Sequence, residues 1–156
     1  MTFANPVGNA ASAAASYTRA LLELLGDRDP LAVAADLLPW LERRTGGLDD
    51  ATLRRPEAPG KWSVLEVVHH LADTEVVYAW RTRQILTQDQ PAVQAYDQDA
   101  WARMLGYNTG DLAVALGQLR GVRTANLRLC RSLTPAQLAR VGLHSERGPE
   151  SLDLVL

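Results

Sequence analysis

The stretch Trp62-Ser-Val-Leu-Glu-Val-Val-His-His-Leu-Ala-Asp73 decides the fold. Ser63 followed three residues later by Glu66 is a capping box, in which two side chains satisfy free N–H groups where a helix opens. Val64, Val67, Val68, Leu71 and Ala72 then recur at helical spacing. The stripe continues through Val76, Ala79 and Trp80 to Ile85 and Leu86. One long helix is predicted over this run.

Similar patterns lie on both sides. Tyr17 to Leu25 reads as an amphipathic helix that Gly26 ends. Asp29-Pro30 restarts a helix, with the cap residue followed by proline at the first helical position. Leu31, Ala34, Leu37, Leu38 and Leu41 keep its period, and Pro39 predicts a kink or break near Leu38. Asp49 to Arg55 is a short helix, Gln88 to Gln98 a loop, and Asp99 to Leu105 a further short helix. Asn108 or Thr109 opens another long helix carrying Leu112, Leu116, Leu119 and Val122. Thr134-Pro135 starts a short one, His144 to Pro149 is a turn, and Ser151 caps a last helix. No alternating β-branched run is found, so an all-α bundle is expected.

Composition agrees. The 156 residues fit one domain able to bury a core. Apolar residues make up 47%, the globular norm, and a net charge of −2 with mixed signs lacks the basic face of a nucleic-acid binder. No stretch approaches a membrane span, and the N-terminus lacks a signal peptide's basic and apolar regions, so a cytoplasmic protein is expected. The single cysteine, Cys130, lies in the apolar-rich run Leu127 to Arg131 and is expected to be a small buried hydrophobe.

Chemistry rests on few residues. Successive helical residues are rotated by about 100°, so His69 and His70 face different ways. His70 shares its face with Val67, Asp73, Thr74, Val77 and Arg81, a half-polar mixture unlike a core stripe. It reads either as a hydrogen-bonded structural histidine or as a metal ligand. Asp73 and Glu75 are candidate acid–base groups, or ion-paired surface charges. Arg81 and Arg83 are candidates for binding an anion, or partners of Glu75 and Asp73. There is no HExxH, CxxC, GxGxxG or nucleophile-elbow signature.

The run Gly60 to Glu75, followed by Arg81, resembles the DinB/YfiT-like superfamily. Tyr96-Asp-Gln-Asp-Ala-Trp101, Leu119-Arg-Gly-Val-Arg123 and His144-Ser-Glu-Arg-Gly-Pro-Glu-Ser-Leu152 resemble later segments of its members, in the same order. The resemblance implies a single domain over 1–156: a DinB-type up-down four-helix bundle with extra short helices, often a homodimer. It implies a divalent metal, nickel or zinc, with His70 as one of three histidine ligands. It also implies a small-molecule substrate, with hydrolysis or transfer of a low-molecular-weight thiol as the reaction. Asp73 and Arg81 are then catalytic candidates, and Arg123 and His144 cofactor-binding ones, with His144 at the pocket rim. The other two histidines are expected from a His-xxx-His pair on the fourth helix. That pair would fall beyond Leu156, so a truncated last helix is expected. The competing expectation is a non-catalytic dimeric binding protein without a complete metal site.

Overall fold

Caps and apolar periods together set where each helix begins. The computed structural model describes residues 10–155. The readings of the extreme N-terminus and of the last helix's end at Leu156 lie outside them. Helix α1 (Ala10–Leu25) ends at Gly26, whose φ of 58° is the left-handed cap that glycine adopts without strain. Helix α2 (Pro30–Thr45) starts where the Asp29 side chain accepts the Leu31 N–H at 2.9 Å. It runs through Pro39 without the predicted break. Leu37, Leu38 and Leu41 pack into the core on both sides of the proline, and that burial offsets the missing hydrogen bond.

A short α3 (Asp50–Arg54) leads to α4 (Val64–Thr87), the longest helix. Its capping box forms as predicted: Ser63 Oγ accepts from Glu66 N, and Glu66 Oε2 accepts from Ser63 N at 2.7 Å. Helix α5 (Gln98–Met104) and a single 3₁₀ turn (Tyr107–Thr109) follow. Helix α6 (Leu112–Arg131) opens a little later than the sequence suggests. Asp111 caps it with one carboxylate oxygen that accepts both the Ala113 and Val114 N–H groups. Helices α7 (Pro135–Leu138) and α8 (Leu152–Val155) are short.

Helix α6 packs against both α2 and α4. Leu41, Val68, Ala72, Ala115 and Leu119 form the buried core between them. Ala72 and Ala115 are small and only 1% exposed, which lets α4 and α6 approach closely. Cys130 is buried as expected, and burial pushes its thiol pKa up.

The expected absence of strands is corrected. A three-stranded sheet, in the order β1-β2-β3, is built from β1 (Ala92–Val93), β2 (Val141–His144) and β3 (Gly148–Ser151). Strands of two to four residues are too short to show a period of two, and glycine and proline interrupt them. The expected turn is the tip of a hairpin: three residues, Ser145 to Arg147, join β2 to β3, and Gly148 takes φ 81°. Strand β2 lies against the end of α4 at Gly142, where a Cβ would stand 2.9 Å from Ile85 Cγ1. Among the described residues, no helix is long and apolar enough to cross a membrane.

Leu119 is fully buried, so Leu119→Ala is expected to destabilise the fold by about 2–5 kcal/mol in urea titrations. A loss below about 1 kcal/mol would mean that α6 is not the centre of the core.

Candidate functional site

Helix α4 carries a stripe of polar and aromatic groups at helical spacing: His70, Thr74, Tyr78 and Arg81. The half-buried His70 ring meets Trp62 edge-to-face, with centroids 4.9 Å apart. Its Nε2 lies 3.4 Å from Thr74 Oγ1, a long contact that leaves the nitrogen loosely engaged. Thr74 Oγ1 is also 2.8 Å from the Tyr96 hydroxyl, and the Tyr96 ring packs on Trp101 at 4.6 Å. Burial holds the His70 pKa below its ordinary value, partly opposed by Asp73 and Asp99, so the neutral ring is favoured at neutral pH. Burial pushes the Tyr96 phenol up.

Arg81 stands at the far end of this stripe, only 5% exposed. Its guanidinium lies 5.4 Å from the Tyr78 ring centroid and 6.0 Å from that of Tyr96, and it donates to the Gln94 carbonyl. Tyr96 therefore connects the two ends: its hydroxyl reaches the Thr74 beside His70, and its ring meets Arg81. Sequence reasoning gave Tyr96 no role of its own. It lies within the resemblance-bearing Tyr96 to Trp101 run, but nothing local marks a loop tyrosine as the link.

Asp73 faces elsewhere. Its two oxygens accept from the Tyr107 hydroxyl at 2.5 Å and from Gln118 Nε2 at 2.7 Å, bracing α4 to the 3₁₀ turn and to α6. Burial and this carboxylate push the Tyr107 phenol well above its ordinary range. His69 stacks on Tyr107, with centroids 5.6 Å apart. Gly110 makes room for it, because a Cβ there would stand 2.2 Å from His69 Nε2.

Glu75 lies on another face of α4 and is bound by Arg123 of α6: Nη2 is 2.6 Å from Glu75 Oε2, and Nη1 donates to the Ala34 carbonyl at 2.8 Å. Asn126 donates to the other Glu75 oxygen at 2.8 Å and accepts from Arg83 at 3.0 Å. The pairing of Arg81 or Arg83 with Asp73 or Glu75 therefore does not form. These arginines sit six or more positions from Glu75 and eight or more from Asp73, beyond the i+3 and i+4 reach of a helix surface. The partner of Glu75 comes instead from α6.

His144 ends β2, 4% exposed. Its Nδ1 accepts the backbone N–H groups of Glu146 and Arg147 at 3.2 and 3.3 Å. Burial, then the charges of Arg147 and Arg81, push its pKa down. A groove of about 610 Å³ opens between α1, α2 and the C-terminal segment, lined by Leu21, Leu22, Leu37, Trp40 and Leu154 and edged by Arg123. His70 and His144 do not line it.

A catalytic zinc-type centre takes three protein ligands and keeps an open position. Among the described residues, no three His, Cys, Asp or Glu side chains converge, and His70 stands as a single imidazole. The described residues do not by themselves fit such a centre.

The four long helices α1, α2, α4 and α6, with a polar stripe along α4, define a helical-bundle protein of the four-helix class. Residues 35–155 match the DinB superfamily, and the chain belongs to it. It is 32% identical over 111 residues to a proposed metal-dependent hydrolase of Geobacillus thermodenitrificans, covering 71% of this chain and 62% of that protein. It is 33% identical over 99 residues to YfiT of Bacillus subtilis, another proposed metal-dependent hydrolase, covering 64% and 56%. The chain thus spans less than two thirds of the length of these relatives. The solved structure of Bacillus subtilis YfiT, described as an unusual four-helix bundle, matches with a TM-score of 0.75 at 29% identity, covering 81% of this chain and 74% of that one.

Two substitutions test these networks. Glu75→Ala strands the buried Arg123 charge and is expected to cost about 3–5 kcal/mol in denaturant titrations, with Glu75→Gln milder. Gly110→Ala is expected to cost about 1–3 kcal/mol and to shift the ring resonances of His69 and Tyr107 while leaving His70 in place. Unchanged His69 resonances would show that Gly110 does not set that ring's position.

Proposed function

We propose that this chain serves a metal-dependent reaction on a small molecule, either hydrolysis or transfer of a low-molecular-weight thiol. The observation that carries this reading is the His70 imidazole. It is kept neutral by burial, and its Nε2 holds only a long contact to Thr74. Such a nitrogen is a good ligand for nickel or zinc, and membership in the DinB superfamily supports the assignment. A bound divalent metal would supply Lewis acidity and lower the pKa of water or thiol.

The chain's own groups have separate tasks in this proposal. Arg81 holds an anionic part of the substrate, since no carboxylate lies within salt-bridge distance of it among the described residues. Asp73 acts by fixing α4 against α6. Arg123 at the groove edge and the buried His144 shape the surroundings in which a thiol cofactor would sit. The protein works in the cytoplasm, as a homodimer.

A second reading, a non-catalytic binding protein, is favoured by the lack of a three-donor cluster among the described residues. Elemental analysis of protein purified without chelator separates the two. The metal-dependent reading expects nickel or zinc above background, falling at least about tenfold in His70→Ala. Background metal in both proteins would sink it and leave the binding protein.

A further inference from the structure

Away from the His70 stripe, His144 is a buried titratable group whose ring is tied to a turn. We propose that His144 is a proton-operated latch: neutral, it pins the Ser145–Arg147 turn; protonated, it releases that turn and the Ala95–Tyr96 segment tied to it. The inference goes beyond the metal reading and does not depend on it.

The geometry leaves one site for the added proton. Nδ1 already accepts two backbone N–H groups, so the neutral ring carries its hydrogen on Nε2. Nε2 is buried and has no hydrogen-bond partner among the described residues. A second proton must go on Nδ1, where it would point at the N–H groups of Glu146 and Arg147. Both bonds would be lost together, in a residue only 4% exposed.

The charges around the ring make release more favourable. Arg147 from the turn and Arg81 from α4 oppose an imidazolium, while Glu150 on β3 and Glu146 in the turn attract it. Glu150 is already held by Arg147 in a two-bond pair, at 2.5 and 2.8 Å, and Glu146 is exposed to solvent. Val93 of β1 and Gly148 of β3, which lie opposite His144 in the sheet, carry no charge.

The turn also holds the segment that faces His70. Ser145 N donates to the Val93 carbonyl at 2.9 Å, and Ser145 Oγ accepts from Ala95 N at 3.0 Å. The next residue, Tyr96, places its hydroxyl 2.8 Å from Thr74 Oγ1. Opening the turn therefore loosens the one loop tyrosine that joins the two ends of the α4 stripe.

The direction follows from linkage. The latched imidazole has a pKa below the ordinary histidine value of about 6.5, so the open form binds more protons in the interval between. The latch is fully closed above about pH 6.5 and opens as pH falls through the lower, latched value.

Backbone-amide NMR of the full chain from pH 7.5 to 4.5 tests this, comparing wild type with His144→Asn. Asparagine keeps an acceptor on the same γ position for the turn and does not titrate. In wild type the Glu146, Arg147 and Ala95 amides should shift together with the His144 ring. Their exchange protection, corrected for intrinsic rates, should fall about tenfold per pH unit between the latched and open pKa values. In His144→Asn the same amides should stay fixed, although His69 and His70 still titrate. A transition that survives in His144→Asn overturns the latch, as does a His144 titration that leaves these amides unmoved. Should the variant fail to fold, the wild-type ring tautomer decides: nitrogen shifts showing Nδ1 protonated at pH 7.5 would overturn it.

Discussion

The close approach of α4 and α6 is the constraint on which the rest of the molecule depends. Ala72 and Ala115 make it possible, with Val68 and Leu119 filling the space beside them. One turn along α4 from Ala72 the seam changes character, because Glu75 sits there, 8% exposed. A carboxylate at such a depth costs several kcal/mol unless both oxygens find donors. Arg123 and Asn126 of α6 supply them, one to each oxygen. Apolar contact brings the helices together, and the Glu75 network fixes their register. Sliding α6 by one turn would move both donors by about 5.4 Å and leave the carboxylate unpaired.

That use of one α4 face dictates what the others can do. Asp73 is drawn into bracing the seam through Tyr107 and Gln118. Tyr78 lines the groove beside α1 and α2, and what meets His70, Thr74 and Arg81 is not another long helix. It is the loop around β1, the hairpin β2–β3 and Trp62 before the helix. The candidate site is therefore half regular and half irregular. The helix sets the spacing of its polar groups, and short loop segments place Trp62 and Tyr96 against them, with Trp101 of α5 packed on Tyr96. Gly142 matters here because a side chain at that position would lift the hairpin off Ile85 and away from the site.

The long helices were legible in the sequence because each carried two agreeing signals, a cap and an apolar period. Ser63 with Glu66, and Asp29 with Pro30, act within three residues of themselves, so no tertiary information was needed to read them. The sheet was not legible for the opposite reason. Strand β1 is held to β2 by pairings between residues about fifty positions apart, such as Ala92 with Leu143, and no strand, including those of the local β2–β3 hairpin, is long enough to show alternation. The charge pairs divide in the same way. The local pair Arg54–Asp50 obeys helical spacing, whereas Glu75 is paired across 48 positions by Arg123, which no local rule could choose over Arg83. In the site, the spacing of His70 and Arg81 was readable, but not the tyrosine between them, whose place depends on a loop.

The sheet also explains why a surface hairpin contains so buried a histidine. A turn of three residues leaves backbone N–H groups without strand partners, and something must accept them. Water would serve at an exposed tip. At the base of this one, His144 is turned inward beneath the turn and accepts two of those N–H groups itself. The arrangement satisfies the backbone only while the ring is neutral, and the same turn holds Ala95 through Ser145. A hydrogen-bonding need of three residues thus links the hairpin to the loop that carries Tyr96, and through Thr74 to His70. The sheet is small, but its hydrogen bonds tie the hairpin to the loop that meets the middle of α4.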